Sequence, residues 1–458
     1  MKLTIRNPAT GAVIATVPTD TAATVRQKFE RAREAQPAWA ATPIADRIAA
    51  ARRFAALLEA RRDELARTLT REVGKPITQS LNEIAGVRAR IEFFVAHVER
   101  VTRAETVFED ERQKLLELVT HEPLGVVANI SAWNYPYFVG ANVFVPALLT
   151  GNAVLYKPSE YGTLTGLAIA SLWHEAGVPP AIFCPLTGAA DVGGWLLRQP
   201  LDGVFFTGSY ATGRHIAATA ARRMIRCQLE LGGKDPIYVC DDVDVQAAAA
   251  GIADGAFYNS GQSCCAVERI YVHERIQEPF IAAFVTAVKG FKVGDPRLPA
   301  TYIGPLARKA QIAVLAQQVA DATRRGARLL LGGKPLTRKG NYFAPTVLVG
   351  TNHRMKVMRE ESFGPVIGVQ RVRDDEEAVR LMNDTPYGLT AGVYTPDRAR
   401  AEAILVQVRS GSSYWNCCDR VSPRLPWSGI GHSGLGVTLS TYGIQTFLRP
   451  RAWHLRAP

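Results

Sequence analysis

From Leu124 onward the chain alternates short apolar runs with helical stretches, and no other feature restricts the fold as strongly. GVVANI reads as a strand, residues 137–150 as a helix stopped by Gly151, and AVLYKP as the next strand. The helix at 164–176 closes on Gly177, and IFCPLTG, the helix 191–198, GVFFTGS and the helix 211–224 continue the series. LELGGKDPIYV reads as one further strand. Strands separated by helices of this length need right-handed crossovers, which yields a doubly wound α/β layer with a parallel sheet. A second α/β series starts near Asp244, with helices at 245–258, 277–289 and 307–324 and strands at RIYVH, PVIGVQRV and LTAGVYT. Ahead of both, residues 20–68 are Ala-rich and helical. Residues 103–121 pass from charged to apolar alternation, which predicts a pair of strands projecting from the first domain.

Composition narrows the class of protein. A chain of 458 residues suits two or three domains, each with its own apolar interior. At 47% hydrophobic and 21% charged it is globular rather than disordered. The start, MKLTIRNPATGAVIATVP, has no basic stretch leading into an apolar run, and no segment holds about 18 uninterrupted apolar residues, so a cytoplasmic location and no membrane partner are expected. Cys184, Cys227, Cys240, Cys264, Cys265, Cys417 and Cys418 form an odd set without framework spacing and without a C-x-x-C pair. Neither a disulfide scaffold nor a metal site is expected, and the thiols should be reduced. The net charge of +12 is scattered over helices such as RQKFERAREAQ, without interleaved aromatics, which speaks against a nucleic-acid partner.

Several residues could carry chemistry. FYNSGQSCCAVER places Cys264 and Cys265 after a helix end at Asn259, Ser260 and Gly261, where a thiol exposed in a cleft could act as a nucleophile. Two small buried hydrophobes would fit the same stretch. Glu230 in LELGGK sits at a strand end among apolar residues, where burial tunes a carboxylate toward general-base work; a partly exposed strand-end charge is the alternative. Asn134 in SAWNYP lies at the carboxyl end of a strand and could donate to an oxyanion, or simply turn the chain. FTGSYATG, with Gly208 and Gly213, opens a helix whose first N–H groups could receive a pyrophosphate. Lys157 and Glu160 in YKPSE could meet ribose hydroxyls or a phosphate, or could belong to a solvated loop.

The joint order WNYP, KPSE, FTGS, ELGGK, GQSC, EESFGPV, PYGLT and PWSGIGHSGLG resembles the NAD(P)-dependent aldehyde dehydrogenase superfamily, over nearly the whole chain from NPATG onward. The resemblance implies that Cys264 is the nucleophile and Cys265 a packing residue. It implies Glu230 as general base, and Asn134 with the Cys264 backbone N–H as oxyanion donors. Lys157, Glu160, Gly208, Ser209, Glu361 and Phe363 match cofactor-contacting positions, with Trp133 close to the nicotinamide. NAD is favoured over NADP, because the Glu160 carboxylate would repel a 2′-phosphate. The implied reaction passes through a thiohemiacetal and a thioester; relatives that transfer the acyl group to coenzyme A lack a glutamate at the ELGGK position, so Glu230 favours water as acceptor.

The sequence also departs from the family pattern. Val143 and Thr438 stand where many members carry a Lys and a Glu that relay the base's proton, and PWSG replaces PFGG, bringing Trp427 to the mouth of the substrate pocket. Tyr135, Tyr137, Phe138, Trp415 and Trp427 suggest an aromatic-lined entrance for a hydrophobic or aromatic aldehyde; Arg420 and Arg424 could instead bind the carboxylate of a semialdehyde. The implied architecture is aldehyde dehydrogenase-like α/β: a Rossmann-type cofactor domain at 1–102 and 123–231, a catalytic domain at 232–435, and an oligomerisation arm at 103–122 and 436–458 that makes a homodimer or homotetramer. A binding or structural relative that has lost turnover is the rival reading, and a cofactor-independent thiol hydrolase a third, for which no His-assisted cysteine is legible.

Overall fold

The computed structural model describes residues 2–457. Two large sheets dominate the fold. The first has six strands in the order Gly434–Leu435, Arg226–Glu230, Gly203–Thr207, Val126–Ser131, Ala153–Pro158 and Phe183–Pro185. All its pairings are parallel except that of Gly434–Leu435 with Arg226–Glu230. From Val126–Ser131 the chain first adds strands on one side and then returns to add them on the other. Strand order therefore reverses beside Ser131, and a crevice at the carboxyl ends of the strands is where such a sheet takes ligands.

The second sheet has seven strands in the order Arg328–Leu331, Thr346–Val349, Val366–Val372, Arg269–His273, Pro236–Val239, Thr390–Tyr394 and Ser412–Trp415. Its two faces follow the period of two along each strand: Ile237, Val239, Ile270 and Val272 pack into one apolar cluster, and Tyr238 and Tyr271 into another on the opposite face. A larger cluster joins the helices Ala22–Ala41, Ile44–Ala60, Arg62–Val73 and Ile77–Thr102 to the six-stranded sheet, and reaches Trp427, Leu439, Ile444 and Phe447 near the C-terminus.

The strands expected at 103–121 are Glu105–Asp110 and Leu115–Pro123, joined by Leu448–Arg456 in an antiparallel three-stranded sheet. A small antiparallel pair, Lys2–Arg6 with Val13–Pro18, accompanies them. No helix among the described residues is long and apolar enough to cross a membrane.

Two expectations need correction. LELGGKDPIYV is not one strand: Arg226–Glu230 ends in the six-stranded sheet and Pro236–Val239 begins in the seven-stranded one. The intervening Leu231, Gly232 and Gly233 carry the chain across, and a side chain at Gly232 would collide with the Glu361 carboxylate. The helix expected at 211–224 is Tyr210–Ala221; Met224 has left the helix with φ of 52° and is 93% exposed.

Candidate active site

The loop bearing Cys264 is shaped by backbone that L-residues seldom adopt. The helix Val245–Phe257 ends in a short 3-10 turn, Tyr258–Gly261, in which Asn259, Ser260 and Gly261 take φ of 52°, 59° and 71°. Conformations of this kind cost on the order of 1 kcal/mol or more at each non-glycine residue and persist only where neighbours hold them. Here the Asn259 backbone N–H donates to the Gln79 side-chain oxygen at 2.9 Å, while its Nδ2 donates to the Asn134 carbonyl at 3.2 Å. Ser260 Oγ bonds to Gly304. The turn thus ties the Cys264 loop to the Asn134 segment.

Asn134 is buried, and its Nδ2 donates to the Gln262 carbonyl at 3.2 Å, which fixes the amide beside the Cys264 loop and uses one of its two N–H groups. Glu230 ends the strand Arg226–Glu230, is 5% exposed and accepts a hydrogen bond from Thr438 Oγ1. Burial raises its carboxyl to about 7, against the opposing pull of the Thr438 hydroxyl and the Arg90 charge. Thr438 is itself held by paired backbone bonds with Trp427, so the wall residue and the partner of the carboxylate lie on one short ladder.

Three cavities run together. A cleft of about 510 Å³ is lined by Trp133, Lys157, Glu160, Gly208, Ser209 and His215, among others, at the carboxyl ends of the six-stranded sheet. It shares Trp133, Gly208 and Ser209 with a cavity of about 350 Å³ that also reaches Asn134, Glu230, Cys264, Glu361 and Phe363. On the far side a third, of about 370 Å³, is walled by Arg90, Tyr135, Phe138, Cys265, Asp419 and Trp427. Cys264 and Glu230 are the two residues that line both the second and the third.

The first cleft suits a dinucleotide. The helix Tyr210–Ala221 starts at Ser209 without a side-chain cap, so its first-turn N–H groups remain available to an anion. Lys157 is buried, donates to the Pro158 carbonyl at 3.1 Å and stands 4.0 Å from Glu160. Its burial lowers its pKa. Trp133 meets the Phe363 ring edge-on at 5.6 Å. Phe363 sits at φ of 46° on a loop whose Ser362 and Phe363 N–H groups donate to Glu268, and Glu361 accepts from the Gly233 N–H at 3.1 Å. The surrounding protein raises Glu361 to about 7.

Matching by family shows what this arrangement belongs to: residues 1–453 fit the model of the aldehyde dehydrogenase family. The chain belongs to that family. Glutarate-semialdehyde dehydrogenase of Pseudomonas aeruginosa is 34% identical over 446 residues, which is 97% of this chain and 92% of that protein. The crystal structure of lactaldehyde dehydrogenase from Escherichia coli superposes with a TM-score of 0.96 at 33% identity, covering 100% of this chain and 96% of the other. PnpE, solved in complex with nicotinamide adenine dinucleotide, gives 0.96 at 32% identity and covers 100% and 94%. As an aldehyde dehydrogenase this chain is an oxidoreductase acting on aldehydes.

Within this aldehyde dehydrogenase several sequence expectations change. Tyr137 is 1% exposed in the core and Trp415 is 41% exposed with its Nε1 donating to the Thr395 carbonyl; neither is among the residues lining the third cavity. Arg420 lines that cavity and Arg424 does not. Trp427 is 5% exposed, an inner wall rather than a mouth. Cys265 is buried as expected of packing, yet its thiol donates to Asp419 at 3.0 Å, so it is more than filler. Val143 is buried in the helix Pro136–Leu149. Sequence reasoning missed Arg90 and Asp419, which line the third cavity, and only the loop before PWSG held a signal for the second, an acidic residue in an otherwise basic turn.

Proposed function

We propose that the chain oxidises an aldehyde to a carboxylic acid with NAD(P)+ through covalent chemistry on Cys264. The observation that carries this reading is the position of Cys264 and Glu230 between the cleft that suits a dinucleotide and the aromatic-walled cavity. The thiolate of Cys264 adds to the aldehyde carbon, and the carbonyl oxygen becomes an oxyanion that accepts from the remaining Asn134 N–H and the Cys264 backbone N–H. Such a donor contributes about 3 kcal/mol of barrier lowering. Bound cofactor supplies the hydride acceptor, and Trp133, Gly208, Ser209, Glu361 and Phe363 would hold it, with Lys157 and Glu160 at the adenosine ribose. Glu230 removes a proton from water as the water oxygen adds to the acyl carbon on Cys264. The carbon–sulfur bond then breaks, releasing the acid.

The departure at Val143 and Thr438 is accommodated in the same reading. Thr438 now holds the base directly, and proton exit runs from Glu230 through solvent in the adjoining cavities. Glu160, beside the ribose position, favours NAD over NADP. The aromatic walls Tyr135, Phe138 and Trp427 take the apolar body of the substrate. The six-stranded sheet with the N-terminal helices is the cofactor domain, the seven-stranded sheet the catalytic domain and the three-stranded sheet an arm for a homodimer or homotetramer. The reduced thiol at the centre fits a cytoplasmic enzyme.

The test is aldehyde-dependent NADH formation by the purified protein, followed by absorbance. Cys264→Ser should abolish it. Glu230→Gln should release a first burst of NADH and then stall as acyl-enzyme; full steady-state turnover by Glu230→Gln would refute the assignment of the base.

A further inference from the structure

The third cavity contains a cation that feels the Glu83 and Glu230 charges but makes no direct ion pair among the described residues. Arg90, on the helix Ile77–Thr102, is 5% exposed, and among the described residues only Nε of its five N–H donors has a hydrogen-bond partner, Asn142 Oδ1 at 3.1 Å. Its guanidinium carbon lies over the Phe138 ring, 3.8 Å from the centroid. Phe138 can approach because the residue one helical turn earlier is Gly86, where any side chain would overlap that ring. The ring contact and the Nε bond hold the guanidinium and leave its terminal nitrogens without an acceptor among the described residues, on the wall of the cavity that holds Cys264.

The nearby carboxylates are engaged elsewhere. Glu83 pairs with buried Lys75 and accepts the Tyr137 N–H at 2.8 Å, and Glu230 accepts from Thr438. Asp419 takes the Ser263 hydroxyl and the Cys265 thiol, each at 3.0 Å, and burial pushes its carboxyl above the usual range, so it is a poor resident counter-charge. Arg269 shows what this protein does with an arginine buried for structure: Lys234, Leu381 and Met382 carbonyls and the Tyr271 hydroxyl all accept from it. A buried charge left unpaired is costly, and a binding site is where a ligand can supply the missing partner.

We infer that Arg90 binds a carboxylate at the far end of the substrate, so that the preferred aldehydes are ω-oxo carboxylates whose apolar stem lies along Tyr135, Phe138 and Trp427. This rests on the covalent oxidation proposed above and specifies its substrate class. A planar carboxylate matches the free fork, which an ammonium or a hydroxyl would not. Arg420, exposed at the edge of the same cavity, adds attraction for an anion during entry.

The experiment compares kcat/KM for ω-oxo carboxylates, n-alkanals and ω-aminoaldehydes of matched length in wild type, Arg90→Met and Arg90→Lys. Assayed well above pH 7, where Glu230 is ionised with or without the Arg90 charge, wild type should favour the oxo acid by about tenfold or more, and Arg90→Met should lose about 100-fold on it, chiefly through KM, against a much smaller loss on the alkanal. Arg90→Lys should recover part of the loss. Straight-chain dicarboxylates should inhibit the wild-type enzyme competitively against aldehyde, and matched diols should not, a readout that needs no variant. A wild-type preference for the alkanal or aminoaldehyde would overturn the inference. So would an equal loss on acid and alkanal with a shifted pH profile, which would make Arg90 a counter-charge to Glu230. Oxidation of the alkanal by the wild-type enzyme in either case keeps the underlying reaction standing.

Discussion

Burial holds the Glu230 carboxyl near 7, so at neutral pH it is divided between the form that can take a proton from water and the form that cannot. Turnover limited by thioester hydrolysis should therefore rise with pH through about 7 and level above it. The Thr438 hydroxyl favours the ionised form, and removing it must push the carboxyl further up. Thr438→Val is expected to move the acid limb of the kcat profile toward alkaline pH by about one to two units, as a charge-assisted bond of about 1.5 to 3 kcal/mol would suggest. An unmoved limb would show that Thr438 does not act on Glu230. At this scale the sequence was most informative where a motif fixes both residue and spacing, as for Cys264, Glu230 and Asn134, which the fold brings around one pair of cavities. It was silent on Arg90, because an arginine in a helix of a basic chain looks like any solvated one. Its meaning depends on Phe138 and Asn142, roughly fifty positions away and visible only once two helices pack.

At the level of elements, the turn that carries Cys264 is where backbone geometry and reactivity meet. Gly261 has φ of 71°, and a Cβ there would run into the Gly364 backbone, so both the conformation and the space exclude a side chain. Gly261→Ala should displace the loop, lowering kcat severely and slowing alkylation of Cys264 by iodoacetamide, with a reduced unfolding temperature; mass spectrometry of the alkylated peptide measures the second effect. The alternation of apolar runs and helices made most elements legible, with ends displaced by up to three residues. The failure at LELGGKDPIYV has a physical source. Apolar character is continuous on both sides of Gly232 and Gly233, so periodicity cannot reveal that the chain leaves one sheet and enters another there.

For the molecule as a whole, the three-stranded sheet has two open edges, Glu105–Asp110 and Leu448–Arg456, and displays Val107 at 65%, Phe108 at 47% and Leu455 at 44% exposure. Apolar side chains on unpaired edges call for a partner surface. Replacing Val107 and Phe108 together by glutamate should shift the sedimentation profile toward monomer while leaving the core folded by circular dichroism; an unchanged profile would place the contact elsewhere. The last stretch of chain does more than build this arm. Gly434–Leu435 pairs with the strand that ends in Glu230, and Thr438 clasps its carboxylate. A chain cut after Gly436 should therefore lose the clasp on Glu230 together with one strand of the arm, so that trimming one end of the molecule is felt at two distant places.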